Sequence, residues 1–207
     1  MDTLTLSQWL LLTGICLAGA MTPGISLAVI TRHTLLGGHR AGVLAALTHA
    51  LAVGLWALAT VTGLALLFAS HPRIEQAFSL LGALFLLYLA GKSWQASGQP
   101  LPEVDGQRTL HSAARDGFMV AFINPKVALF FVALFSQFLH AQLGSVARGQ
   151  MVAIAALVDG SWYALVAVLL GRSRLLPWLR AHHHYVERAT ALLLVLVAST
   201  VLLNAAQ

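Results

Sequence analysis

The chain has 207 residues, of which 58% are hydrophobic and only 9% are charged, and its mean hydropathy is +0.81. This composition excludes a soluble globular protein of this size, because too little polar surface remains to face water. The net charge of +5 does not indicate a nucleic-acid partner, since the basic residues occur in short loops beside apolar segments, where such charges set membrane orientation.

Six apolar segments follow one another along the chain, and most of them reach the roughly 20 residues that a membrane-spanning helix needs. They cover residues 3–31, 41–70, 76–91, 117–139, 149–171 and 189–206. The sequence therefore predicts an all-α polytopic membrane protein with six transmembrane helices, which are solvated by lipid.

A polar stretch over residues 98–112 contains Gly and Pro and is typical of a linker. It separates a first three-helix repeat, residues 1–97, from a second, residues 113–207. Because three is an odd number, the two halves enter the membrane from opposite faces, as two inverted repeats require.

The positive charges are distributed unevenly between the loops. The first, third and fifth loops together hold nine Lys and Arg residues, whereas the loops on the other side hold only Arg73 and Arg148. The positive-inside rule then predicts that the three basic loops and the linker are cytoplasmic and that both termini lie outside.

Two proline motifs interrupt the first and fourth apolar segments. Each proline lies nine residues from a charged boundary, at Arg32 or Asp116, so both breaks fall roughly 13 Å into the hydrocarbon layer, near its midplane. The motif residues are Thr22, Pro23, Gly24, Asn124, Pro125 and Lys126. Paired interruptions in corresponding positions of two halves indicate the binding site of a transporter.

The residues around each proline suit the start of a helix. Thr22 and Asn124 are favourable N-cap residues, and proline is tolerated at the first helical position. Each motif is therefore predicted to begin a half-helix, and the two positive helix ends, which face a common centre, favour an anion such as a carboxylate. The alternative is two ordinary proline kinks, which membrane helices tolerate.

Further polar side chains reach the same depth. His49 and Asp159 belong near the middle of the second and fifth segments. Because an ionised side chain at the helix centre costs about 3 kcal/mol, Lys126 and Asp159 should face the protein interior or a water-filled cavity. Either they bind a substrate, or they form an ion pair that only holds two helices together. For His49 alone, a hydrogen bond between helices is the simpler expectation. Two aromatic residues, Trp162 and Tyr163, lie three and four residues after Asp159 and share its helix face. They are further candidates for lining a cavity, although packing in the core is the more common fate of such a pair.

These motifs together resemble the LysE/RhtB amino-acid exporter family, and the similarity runs essentially from end to end. The sequences that carry it are Thr22-Pro23-Gly24, Gly37-Gly38-His39-Arg40-Ala41-Gly42, Asn124-Pro125-Lys126-Val127-Ala128-Leu129-Phe130-Phe131, and Asp159 followed by Trp162-Tyr163 and Gly171-Arg172. In that family the first motif usually reads Pro-Gly-Pro, whereas this chain has Ile25 in place of the second proline. The resemblance implies secondary-active efflux of amino acids or related small metabolites from a bacterial inner membrane by a homodimer. No enzymatic activity and no cofactor are expected.

The sequence thus favours export of amino acids or related small zwitterions. In this hypothesis the two proline motifs hold the substrate carboxylate, and Asp159 meets the amino group or carries a coupling proton. Two alternatives stay open. One is efflux of a divalent metal ion by His49, Asp159 and the histidines of the last loop, His182, His183 and His184. The other is a membrane scaffold without transport, which has little reason to bury midplane charges.

Overall fold

The structure is a computed structural model that describes residues 3–22, 24–70, 72–96, 109–140, 142–170, 184–185, 188–196, 198–199 and 202–203. Within these ranges the regular elements are helices, which confirms the all-α prediction. They are α1 (Leu6–Met21), α2 (Ile25–Ser70), α3 (Pro72–Ala96), α4 (Leu110–Phe122), α5 (Pro125–Phe135) and α6 (Ser145–Leu170), followed by helical residues at 188–196.

The described residues contain two helices that are long and apolar enough to cross a membrane, α2 over Ile25–Leu67 and α6. A third candidate is the pair α4 and α5, which meet at a bend of 53°. Large apolar side chains remain on the outer surface, including Leu6, Leu66 and Leu157, each more than two-thirds exposed. Such a surface suits lipid rather than water, so the protein is a membrane protein.

The predicted loop between the first two segments is helical except at one residue. Gly38 has φ 78° and ψ 172°, a conformation that only glycine adopts readily. Eight residues along a continuous helix span about 12 Å, yet a Cβ on Gly42 would collide with the Thr34 side chain. The chain therefore folds back at Gly38, and α2 consists of two arms, residues 25–37 and 39–70.

The second arm of α2 lies at the centre of the molecule, where it packs along α4 and α6. Small residues permit this close approach. A Cβ on Gly117 of α4 would lie only 2.7 Å from the backbone Cα of Ala45, and one on Gly160 of α6 would lie 2.9 Å from Ala50 Cβ. Gly42 permits the same close approach, since a Cβ at that position would lie 2.9 Å from the Cβ of Ala167.

We expect Gly117→Ala to destabilise the protein by about 2 kcal/mol, because the added methyl group meets backbone atoms of Ala45 that cannot move aside. The matched control is Gly149→Ala on α6, where a Cβ meets no atom of the described structure within 4 Å. That change should be neutral or stabilising, since alanine favours a helix by about 1 kcal/mol over glycine. Thermal unfolding in detergent measures both variants, and equal melting temperatures would contradict the packing described here.

Two hydrophobic cores hold the helices together. The larger contains Leu12 and Ile15 of α1, Leu86 of α3 and Phe135 of α5, all almost fully buried. The smaller joins both arms of α2 to the second half of α6. Between the two cores the polar residues of the predicted site come together.

Candidate functional site

The two helix breaks differ in how their caps are made. At the second break the prediction is confirmed: Asn124 is the N-cap of α5, its Oδ1 accepts a hydrogen bond from the Lys126 backbone N–H at 3.0 Å, and Pro125 occupies the first turn. Because the Asn124 carbonyl also accepts from the Val127 N–H at 3.1 Å, these two amides already have partners. An anion at this end of α5 would therefore be held by the Lys126 side chain and the helix dipole.

At the first break the predicted cap is wrong. Thr22 does not begin the next helix but ends α1, and its hydroxyl donates back to the Ala18 carbonyl at 2.9 Å. The next helix begins at Ile25, and its first hydrogen bond runs from the Ala28 N–H to the Gly24 carbonyl. A threonine hydroxyl can serve either end of a helix, and here the bond within α1 prevails. Pro23 lies outside the described residues.

One cavity of about 150 Å³ lies between the two breaks. It is lined by seven of the nine residues that the sequence predicted for the site: Thr22, Gly24, His49, Asn124, Lys126, Asp159 and Tyr163. Pro23 is outside the described residues, and for Pro125 only the backbone is described. The volume is sufficient for several water molecules or for a small solute.

A buried hydrogen-bonded pair occupies the wall of this cavity. Nδ1 of His49, on the second arm of α2, lies 2.7 Å from Oδ2 of Asp159 on α6. Both residues are more than nine-tenths buried, at 2% and 8% exposure. When the carboxylate is ionised it can only accept, so the imidazole nitrogen is the donor. The hydrogen bond between helices expected for His49 is thus present, and its partner is Asp159.

The other ring nitrogen of His49 has no such partner. Nε2 is buried and makes no hydrogen bond with any residue that the structure describes. A buried polar atom without a partner is costly and calls for an explanation, such as a ligand or water that occupies the site during function. His49 thus lines the cavity and has one ring nitrogen, Nε2, that a ligand or water could hydrogen-bond.

The sequence left open whether Lys126 binds a substrate or forms an ion pair with Asp159. The Lys126 side chain is exposed while it also lines the cavity, and the ionic contact that the structure gives for Asp159 is with His49. The cavity therefore has an ammonium group and a carboxylate in its lining.

Several residues that sequence reasoning did not select also line the cavity. Ser26, on the first arm of α2, is one of them, and it shares the lining with Tyr163, whose ring meets the His49 ring edge to face at a centroid distance of 4.9 Å. Thr190, in the C-terminal helical segment, donates to the Ala18 carbonyl at 3.2 Å and lies 3.4 Å from the Thr22 hydroxyl. Single hydroxyl residues in apolar helices carry no spacing signal, so only the fold could identify these two.

The remaining candidates lie apart from this cavity or outside the described ranges. His182 and His183 are not described, and His184 does not line the cavity. A second His–Asp pair, His33 Nε2 to Asp116 Oδ2 at 3.1 Å, joins the first arm of α2 to α4. Neither of its residues lines the cavity. This pair is therefore a control for the His49–Asp159 pair, which does line it.

Comparison with known proteins identifies the family. The profile of the LysE type translocator family matches residues 17–205, and the chain therefore belongs to that family, as the resemblance of its motifs predicted. No solved structure matches the chain significantly.

Curated relatives are similar at low identity. The chain is 28% identical to the uncharacterized membrane protein YahN of Escherichia coli K12, over 87% of this chain and 81% of that protein. It is 22% identical to the threonine efflux protein of the same strain, over 77% of this chain and 83% of that protein. A third relative is the uncharacterized membrane protein YrhP of Bacillus subtilis 168, with 26% identity over 57% of this chain and 61% of that protein.

Proposed function

We propose that this member of the LysE type translocator family is a secondary-active exporter, which moves amino acids or related small zwitterions across the bacterial inner membrane by alternating access. The observation that carries the proposal is the cavity in which both helix breaks meet the buried His49–Asp159 pair. Transport by the family, and threonine efflux by one relative, support it.

The charges of the cavity match those of a zwitterion. The Lys126 ammonium and the N-terminal end of α2, at Gly24 and Ile25, favour a carboxylate. The Asp159 carboxylate favours an amino group. Opposite charges in the lining of one small cavity hold an α-amino acid in one orientation and give little affinity for a simple anion or cation.

The pair of His49 and Asp159 also offers a route for coupling. When a substrate ammonium approaches Asp159, it competes with His49 for the same carboxylate. Release of His49 leaves both of its ring nitrogens able to exchange a proton with water in the cavity. The substrate and His49 are in this way alternative partners of one carboxylate, so that loading of substrate is linked to proton exchange between His49 and water, as an antiporter requires.

The architecture proposed for this cycle is six transmembrane helices in two inverted repeats. The fold-back at Gly38 supports it, because it turns α2 into the second half of one broken helix and a separate second helix. α4 and α5 then form the broken helix of the other repeat. Rocking of one repeat against the other would expose the cavity to each side in turn. A homodimer is part of the proposal, and Gly14 on α1 faces open space where a second copy could approach.

The proposed orientation places both termini in the periplasm, because nine of the eleven Lys and Arg residues in loops lie on the opposite side. We expect single cysteines introduced at positions 2 and 207, in a chain with Cys16→Ala, to react with a membrane-impermeant maleimide added to intact spheroplasts. Labelling of both positions only after lysis would contradict the orientation. A cysteine at position 111, beside the linker, is the control for the cytoplasmic side.

The function is tested by flux into and out of proteoliposomes that contain the purified protein. A panel of radiolabelled amino acids and Cd²⁺ is compared with vesicles that lack protein. Flux of at least one amino acid, and none of Cd²⁺, is the expected result. Flux of Cd²⁺ alone would instead support the metal exporter, and no flux of any compound would support a scaffold.

A further inference from the structure

Most of the large apolar residues of the cavity wall lie apart from its charged groups. The acidic and basic side chains among its described lining, His49, Lys126 and Asp159, lie at the level of the helix breaks. One large apolar residue, Ile25, lies at that level too, whereas the others lie beyond the breaks: Val53, Leu89, Val127, Phe130, Phe131 and Leu194. The cavity therefore has a polar end and a predominantly apolar end.

The apolar end extends away from the breaks along two helices. Phe130 lies five residues into α5 after Pro125, a rise of about 7.5 Å, and Val53 lies four residues beyond His49, a rise of about 6 Å. In the proposed topology the second and fourth transmembrane helices run in the same direction. Val53 and Phe130 are then on the same side of the charged level.

The lining offers one carboxylate and one ammonium group among its described residues, and the backbone charges of an amino acid engage both of them. A substrate with a charged side chain would bring a third charge into the apolar end. Such a charge without a partner loses its hydration and gains nothing in return, so it is strongly disfavoured. A basic or acidic amino acid should therefore bind poorly.

The size of the apolar end depends on one contact across the cavity. A Cβ placed on Gly19 of α1 would lie 3.1 Å from Cζ of Phe130, and 3.5 and 3.6 Å from the two Cε atoms. The Phe130 ring thus lies against the Gly19 backbone, and its edge is supported by Phe131 at a centroid distance of 5.3 Å. The absence of a side chain at Gly19 lets the Phe130 ring lie against α1. The position of this ring then determines how much room the cavity retains.

We propose that the cavity selects amino acids with a neutral aliphatic side chain, and that Phe130, resting on Gly19, sets the largest side chain that fits. This inference rests on the proposed function and names the substrate class of the same site. Phe130 and Gly19 are specificity-determining residues: they contact the side chain of the substrate rather than its charged groups.

The test measures flux of a labelled amino acid in proteoliposomes. Unlabelled valine, leucine, phenylalanine, lysine and glutamate are each added as competitors. In the wild-type protein the aliphatic compounds should compete, and lysine and glutamate should not. Phe130→Ala enlarges the cavity and should raise the preference for phenylalanine over valine about tenfold, the effect expected when a hydrophobic pocket gains or loses room. Gly19→Ala pushes the ring inward and should change the same ratio in the opposite direction.

Two further variants keep the test decisive. Phe118→Ala, on α4, removes a phenylalanine that stacks on Phe122 and does not line the cavity, and it should leave the ratio unchanged. Phe130→Leu replaces Phe130→Ala if the alanine variant does not fold. Transport of lysine or glutamate as fast as leucine, or one valine-to-phenylalanine ratio in all variants, would overturn the inference while the proposed function stands. Absence of flux for every amino acid in the wild type would overturn both.

Discussion

Asp159→Asn is expected to reduce amino-acid efflux on the order of 100-fold while the folded protein remains in the membrane. The amide preserves the shape of the side chain but removes its charge, so neither a substrate ammonium nor an exchanged proton is held there. Hydrogen bonds to charged groups contribute up to about 3 kcal/mol, which corresponds to this change in rate. Initial efflux rates from loaded proteoliposomes give the measurement, and size-exclusion chromatography in detergent reports folding.

Asp116→Asn is the matched control, because Asp116 also pairs with a buried histidine, His33, but does not line the cavity. It should retain most of the efflux activity. Near-normal transport by Asp159→Asn would contradict a role in the site. Loss of the folded protein, restored in a double variant that also carries His49→Gln, would show that the pair of His49 and Asp159 serves only to hold α2 against α6.

Lys126→Met is expected to raise the amino-acid concentration for half-maximal transport by about tenfold or more. The ammonium group provides a charge-assisted hydrogen bond to the substrate carboxylate, and such bonds are worth about 1.5–3 kcal/mol. Methionine keeps the length and the apolar stem of the side chain. Concentration dependence of the initial rate in proteoliposomes separates this loss of affinity from a loss of folded protein.

The control is Lys92→Met, which alters the other lysine of the chain. Lys92 is exposed at the end of α3, where its Nζ lies 5.8 Å from the centre of the Tyr88 ring, away from the cavity. Its replacement should leave the concentration dependence unchanged. An equal and small effect of both lysine changes would indicate that Lys126 contributes only a general positive potential.

Much of the site could be predicted because depth in a membrane can be counted along the sequence. Each helical residue advances about 1.5 Å, so the distances of Asn124, His49 and Asp159 from charged boundaries placed them at one level. The structure brings all three to one cavity. Helical spacing from Asp159 indicated both Trp162 and Tyr163 as candidates, and of these two Tyr163 lines the cavity whereas Trp162 does not.

Which side chains pair with one another could not be predicted from their depth in the membrane. Depth does not determine how each helix is rotated about its axis, and the sequence therefore could not choose between His49 and Lys126 as the partner of Asp159. A reversal of the chain between residues 31 and 41 was predicted, but the sequence did not show that it would take place at the single residue Gly38 with helix on both sides. Thr22 was assigned to the wrong helix end, since its hydroxyl can cap either.

The structure shows where Ile25, which replaces the proline usual in the family, lies in the fold. Ile25 is the first residue of α2, where a proline would have lost no helical hydrogen bond. The helix starts at this position without it, and the Ile25 side chain lines the cavity. The substitution therefore bears on the shape of the site more than on the formation of the helix.

The central claim is that one cavity recognises both charges of a zwitterion, and competition by matched analogues tests it most directly. The transported amino acid, its carboxamide, and the corresponding acid without the amino group are each added to proteoliposomes during flux of the labelled amino acid. We expect only the zwitterion to compete, because each analogue leaves either Lys126 or Asp159 without its partner. Equal competition by all three compounds would contradict the claim and would leave the two proline motifs as hinges rather than as parts of a binding site.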